Sequence, residues 1–328
     1  MKAAYFEKYG LAAEVLEVGE RETPKPGPGE VRVRLYASGV NPSDVKKRAG
    51  SQSAGIEQGY VIPHSDGAGM IDAVGEGVAK SRIGERVWVY QAQYQRRFGT
   101  AAEYVTLPAV RTVRLPQNVD FSTGACLGIP AMTAHRCVFA DGDVRGQTVL
   151  VTGAGGRVGY YAVQWAKLAG AHVIGTAGGD ETVRHARDAG ADSVLNYRTD
   201  DVPQRVFELT DGMGVDRVID VEFGANLAST LKLIRSNGVI ASYSSTQVRE
   251  PVLPFYPLMF KDITVRFVLV YTMPETAKHQ ATEDITRFLQ TGKLKHRVAE
   301  KHSLADIARA HEAIERGGVP GCVVIEIP

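Results

Sequence analysis

Val149-Leu150-Val151-Thr152-Gly153-Ala154-Gly155-Gly156-Arg157-Val158-Gly159, running on through Tyr160 to Gly170, decides the fold of this chain. Hydrophobic and β-branched residues up to Thr152 read as a buried strand. Gly153, Gly155 and Gly156 make a turn, and Tyr160–Ala169 carries an apolar helical face. Gly170 stops that helix where a left-handed cap is expected. Such a turn gathers backbone N–H groups at the positive end of a helix, where a pyrophosphate can sit. The strict G-x-G-x-x-G spelling fails at Val158, and the glycines fall instead at 153, 156 and 159. Context sets this apart from an ordinary glycine turn: a second strand, His172–Thr176, follows about twenty residues on.

Downstream, apolar strands alternate with helices. Thr148–Thr152, His172–Thr176, Ser193–Leu195, Val215–Val221 and Gly238–Ser242 read as strands, with helices over Glu181–Ala189, Val202–Thr210 and Leu227–Ile234. That alternation predicts a parallel sheet covered on both faces. Ile263–Tyr271 reads as another strand, Thr276–Thr291 as a helix, and Leu304–Arg316 as an amphipathic helix stopped by Gly317-Gly318.

Upstream the texture is β-rich. Met1–Phe6, Glu14–Gly19, Val31–Val40, Gly67–Val74 and Arg86–Tyr90 are short strands punctuated by glycine turns, and an antiparallel barrel is their economical packing. Thr123–Phe139 has helical spacing, broken at Gly128-Ile129-Pro130. The closing Cys322–Ile327 run reads as a strand that returns to the first domain's sheet.

A length of 328 residues suggests two domains. Net charge is +1 with the signs interspersed, which points neither to nucleic acid nor to a membrane surface. The N-terminus lacks the apolar run of a signal peptide, and no apolar run reaches the roughly eighteen residues of a spanning helix. Cys126, Cys137 and Cys322 have no pairing or metal spacing. A cytoplasmic protein with reduced thiols is the expectation.

An acid at the end of the second strand takes the ribose hydroxyls of NAD. Here Ala177 or Gly178 occupies that position, and Asp180 is expected to open the next helix as its N-cap. Without the acid, a 2′-phosphate is not repelled, so NADPH is the expected cofactor. Thr176 ends the strand, Arg184 (or, more weakly, Arg187) is placed to pair with the phosphate, and Tyr197 to line the adenosine end.

Gly39-Val40-Asn41-Pro42, Ile62-Pro63-His64-Ser65-Asp66-Gly67-Ala68-Gly69, Gly84-Glu85-Arg86-Val87, Gly128-Ile129-Pro130-Ala131-Met132-Thr133-Ala134 and the glycine turn occur in that order at familiar spacing. Together they resemble the zinc-free quinone oxidoreductases, the zeta-crystallin family of the medium-chain dehydrogenase/reductase superfamily. The resemblance implies an α/β chain with a GroES-like β-barrel catalytic domain over 1–124 and 266–328, and a Rossmann NADP(H)-binding domain over 125–265, with NADPH in the cleft between them. By the same resemblance Asn41 and Thr133 lie near the nicotinamide. Gly153, Gly156, Arg157 and Val158 lie at the pyrophosphate, and Ser244 and Leu269 follow later strands of the site. Members pair as homodimers or homotetramers, usually through the strand at Ile263–Tyr271.

Catalytic zinc needs about three ligands from Cys, His and acids. The cysteine that zinc relatives carry after Val31–Ser38 is absent, Ser65-Asp66 replaces their His-Glu pair, and His64 is one residue out of register. No metal is therefore expected. Lys46 stands where these reductases commonly carry a tyrosine, and Arg157 where they keep a small residue. Asn41, Lys46 and His64 are candidates for the substrate pocket. No Ser-His-Asp set or carboxylate pair marks a catalytic residue.

The expected activity is transfer of a hydride or single electrons from NADPH to a quinone, with the protein positioning the rings and excluding water. Reduction of an activated C=C bond in an enone or enoyl thioester is the alternative enzyme, and it requires a proton donor. A non-enzymatic alternative is an NADPH-binding regulator or RNA-binding protein. Against RNA binding, no basic run interleaved with aromatics is present.

Overall fold

The computed structural model describes residues 1–328. It divides into two compact units, residues 1–129 with 282–328, and residues 130–281. The chain thus crosses between units at Ile129/Pro130 and at Ala281/Thr282, whereas the sequence-based expectation placed the crossings at 124/125 and 265/266.

The unit over 130–281 holds a six-stranded parallel sheet. Its spatial order is Ser193–Asn196, His172–Ala177, Thr148–Val151, Val215–Asp220, Ile234–Ser242, Thr264–Phe267. The chain order reverses beside Thr148–Val151, so the glycine turn leaves that strand at the topological switch point where such sheets bind ligands. The inner strands are buried and largely apolar, as a sheet covered on both faces requires, and Val149, Leu150, Val151, Val218 and Ile219 are all buried.

Three charges on Val215–Asp220 are also drawn inside, and each is hydrogen-bonded there. Arg217 donates to the carbonyls of Cys137, Val138 and Asp141 at the end of helix Met132–Phe139. Asp216 accepts from Thr148 N–H at 2.7 Å and pairs with Arg235. Asp220 accepts from the Thr152 hydroxyl at 2.8 Å and Asn226 Nδ2 at 2.7 Å.

The unit built from the two chain ends holds a mixed sheet. Val298–Ser303, Cys322–Glu326, Glu30–Val40, Asp66–Val74, Arg86–Val89 and Thr112–Arg114 follow one another across it, and Tyr104–Pro108 also pairs with Glu30–Val40. As expected, the C-terminal strand joins this sheet, antiparallel to Glu30–Val40 with Val323 opposite Val40. Cys126 and Cys322, far apart in sequence, meet in a small buried cluster with Ala37, Ala125 and Val324, and all three cysteines are free thiols.

Several local expectations need correction. Glu14–Gly19 is not one strand: Ala12–Val15 forms a helical turn before strand Glu17–Glu20. The turn places Val15 against Phe6, Ala54 and Val61. Ile263–Tyr271 yields only the four-residue strand Thr264–Phe267, after which the chain tightens into a 3-10 turn at Val270–Thr272. Asp180 is the first residue of helix Asp180–Asp188, and extended Gly179 is its N-cap. The break in Thr123–Phe139 is a π-type turn over Leu127–Ala131 containing Pro130.

Candidate functional site: a glycine turn and a buried polar cluster

The glycine turn is fixed by what surrounds it. Gly153 has φ +62°, a left-handed conformation that costs glycine little. A Cβ at Gly155 would lie 2.3 Å from the Thr182 carbonyl oxygen, and one at Gly159 would lie 2.2 Å from that of Gly153. Neither position can carry a side chain without moving backbone. At Gly156 the nearest approach is 3.2 Å, so the glycines the fold demands are 153, 155 and 159.

Thr176 serves the turn from the neighbouring strand. Its carbonyl accepts from Ala154 N–H at 2.8 Å and its hydroxyl oxygen from Gly153 N–H at 3.3 Å. Helix Arg157–Leu168 then starts at the turn, with the N–H groups of Arg157 and Val158 at its positive end. This cradle of backbone donors fits a pyrophosphate.

At the end of the second strand, a Cβ on Gly178 would lie 2.4 Å from the Tyr197 hydroxyl oxygen. Tyr197 packs over that backbone, and an Asp or Glu there would have to displace its side chain. Tyr197 and Arg184 are otherwise exposed. Thr133 is buried on helix Met132–Phe139. Ser244 is half-buried, accepting from Phe223 N–H at 3.0 Å, and Leu269 is exposed.

In the other unit, Asn41 caps helix Pro42–Arg48 in a reciprocal box with Asp44. Its Nδ2 donates to Asp66 Oδ2 at 2.9 Å, and Ile129 N–H donates to the same oxygen at 2.8 Å. The π-type turn at Leu127–Ala131 presents that N–H. Asp66 is fully buried, and burial pushes its carboxyl up to about 8, aided by the Asp44 charge and opposed by the two hydrogen bonds. Lys46 is half-buried on the same capped helix.

His64 corrects an expectation. Rather than lining a substrate pocket, it is fully buried with φ +78°, and both ring nitrogens are occupied. The chain of bonds has one consistent direction. Thr100 donates to the Asp66 carbonyl at 2.6 Å, so it accepts from Ser38 Oγ at 2.7 Å. Ser38 in turn accepts from His64 Nδ1 at 2.8 Å, which leaves Nε2 to accept from His311 Nε2 at 2.9 Å. Burial holds His64 near 3, and His311 is lowered by burial and then by the neighbouring His64 and Arg48. Both rings are neutral.

Asn41, Ser65 and Asp66, with a histidine spent at both nitrogens, do not make the donor set of a catalytic zinc. Asp66, Ser38, Thr100 and His311 are further members of this cluster that no sequence motif marks as functional groups. An acid opening the apolar strand Asp66–Val74 was one available signal. A histidine at helical spacing with Ile307, Ala310 and Ile314 was the other. Neither showed that the two would join one network.

Residues 27–117 match the family profile "Alcohol dehydrogenase GroES-like domain" and residues 158–289 match "Zinc-binding dehydrogenase". The quinone oxidoreductase of Rattus norvegicus is 30% identical, over 89% of this chain and 87% of the relative. The 2-haloacrylate reductase of a Burkholderia species is 28% identical over 93% of each. The crystal structure of Escherichia coli quinone oxidoreductase complexed with NADPH superposes with a TM-score of 0.87 at 26% identity, covering 100% of both chains.

Proposed function

The chain belongs to the zinc-free quinone oxidoreductase family of the medium-chain dehydrogenase/reductase superfamily, and from that premise we propose that it is an NADPH-dependent quinone reductase. The observation that carries the reading is the glycine turn at the switch point, where Gly155 and Gly159 leave room for no side chain. NADPH supplies the reducing equivalents from its nicotinamide ring. This chain's residues bind and orient. Backbone N–H groups of Arg157 and Val158 and the Arg157 guanidinium hold the pyrophosphate, with Gly153 and Gly156 shaping the turn. Tyr197 and Arg184 serve the adenosine end, and the absent acid at Gly178 admits the 2′-phosphate. Thr133, Asn41, Ser244 and Leu269 are assigned to the nicotinamide half, and Lys46 to the acceptor. A quinone takes electrons readily and its product takes protons from solvent, so no dedicated protein acid is needed.

The Burkholderia relative favours a second reading, reduction of an activated C=C bond. An acceptor panel separates the two. NADPH oxidation is expected with 9,10-phenanthrenequinone and not with an α,β-unsaturated ketone; turnover of the ketone alone would replace the first reading by the second. In the same titrations NADPH binds more tightly than NADH, and Arg157→Gly weakens NADPH in a salt-sensitive way. Tighter NADH binding would overturn the assignment at Gly178, and an unchanged constant would make Arg157 a bystander.

The quinone reading carries a dimer with it. Strand Thr264–Phe267 is the open edge of the parallel sheet, and beside it Val252, Phe255, Phe260 and Phe267 are 67–91% exposed. A second copy is the proposed cover for this apolar face. Light scattering is expected to give about twice the 35.4 kDa chain mass, falling to one chain in Phe260→Asp. A monomeric native protein would remove the assignment. No helix is long and apolar enough to cross a membrane, and free buried cysteines suit the reducing cytoplasm.

A further inference from the structure

We propose that His185 is a positioning residue of the dinucleotide site, its ring N–H locking the Gly155–Gly156 peptide in the orientation that receives the pyrophosphate. The inference rests on the glycine turn being the NADPH site.

A peptide unit is rigid, and its C=O and N–H point to opposite sides. Two glycines in succession leave the torsions on either side of this unit unusually free. A flip would turn the Gly155 carbonyl oxygen towards the ligand, where its partial negative charge repels phosphate. The structure ties both ends. Gly156 N–H donates to the Gly153 carbonyl at 2.9 Å, and the Gly155 carbonyl accepts from His185 Nδ1 at 2.9 Å. A carbonyl only accepts, so Nδ1 carries a proton.

His185 is itself held. It is buried on helix Asp180–Asp188, which otherwise buries only Ala186. Its ring stacks on Tyr160 with centroids 4.0 Å apart and planes 13° from parallel. The Tyr160 hydroxyl donates to Asp188 of the same helix at 2.8 Å, and its backbone N–H donates to the Gly156 carbonyl at 2.8 Å. The Thr182 carbonyl presses on Gly155 from that helix too. Thus one side chain joins the turn, the helix that follows it and the helix after the second strand. An aliphatic residue would fill the same space without reaching the carbonyl.

Two substitutions separate the hydrogen bond from the packing. His185→Phe keeps a ring against Tyr160 and loses the donor. His185→Asn puts an amide N–H near the place of Nδ1 and loses the stack. The NADPH dissociation constant, KM and kcat with a quinone, and the melting temperature are measured for each. His185→Phe is expected to raise the NADPH dissociation constant and KM about tenfold, the worth of one hydrogen bond, with kcat little changed and the melting temperature modestly lower. His185→Asn is expected to stay within about threefold of the native affinity even where its melting temperature falls. Native affinity in His185→Phe would overturn the inference, as would affinity that tracks melting temperature in both variants. Failure of the native protein to bind NADPH would instead remove the cofactor reading beneath it.

Discussion

Gly159→Ala is expected to raise the NADPH dissociation constant by roughly 100-fold or more, a loss of about 3 kcal/mol. Its Cβ would stand 2.2 Å from the Gly153 carbonyl oxygen and 2.9 Å from Ala154 Cα. Both obstacles are backbone, so relief comes only by moving the turn away from the helix start. The donors of Arg157 and Val158 then lose their shared direction. Gly156→Ala is the graded comparison, because its Cβ approaches nothing closer than 3.2 Å and its φ of −84° is open to any residue. It is expected to cost less than about tenfold. Isothermal titration decides. If Gly159→Ala bound as tightly as the native chain, the steric account of the turn would be wrong.

The second large effect concerns pH. Stability is expected to peak near pH 6.5 and fall on both sides, because four groups, three of them in one buried cluster, titrate differently in the folded and unfolded chain. The histidines His64 and His311 are held below their ordinary 6.5, His64 to about 3. Below pH 6.5 the unfolded chain binds two protons there that the folded chain refuses, so their contribution is lost as pH falls. Asp66 has the opposite sign. Its carboxyl is raised from 3.8 to about 8, so the folded chain retains a proton that the unfolded chain releases above about pH 4.

His296 is likewise lowered by burial, to about 4, so between about pH 4.5 and 6.5 the unfolded chain binds two net extra protons and stability falls by about 2.7 kcal/mol per unit of acidification. Between pH 6.5 and 8 the folded chain binds one more, and stability falls by a similar slope as pH rises. Urea unfolding across pH 4.5–8 is expected to lose roughly 5 kcal/mol on the acid side and roughly 2 on the alkaline side. Asp66→Asn should abolish the alkaline fall and steepen the acid slope by about half. His311→Gln, which keeps an amide N–H for His64, should reduce the acid slope. An alkaline limb that survives in Asp66→Asn would show that another group causes it.

The turn from Val149 to Gly159 was legible because every step of it is local: β-branched strand, glycines, helix and closing Gly170, whose φ is +88°. The parallel sheet was legible too, since strands covered on both faces are largely apolar. Less legible were Glu14–Gly19 and Ile263–Tyr271, where short apolar runs fit several backbones and packing chose between them. The missing acid at Gly178 could be read from the sequence. The packing of the Tyr197 hydroxyl over Gly178, from nineteen residues later, could not.

By itself the sequence determined the strand–turn–helix of the phosphate site, the alternation that builds a parallel sheet, and the return of the C-terminal strand to the first unit. These follow from periodicity and from glycine's freedom, which act over a few residues. Tertiary structure alone decided which polar residues are held where. It brought His64 to His311 and Asp66 to Asn41 and Ile129, and it placed His185 under Gly155. A buried donor must find its acceptor wherever the fold brings one, and separations of 247, 25, 63 and 30 residues leave no periodic trace.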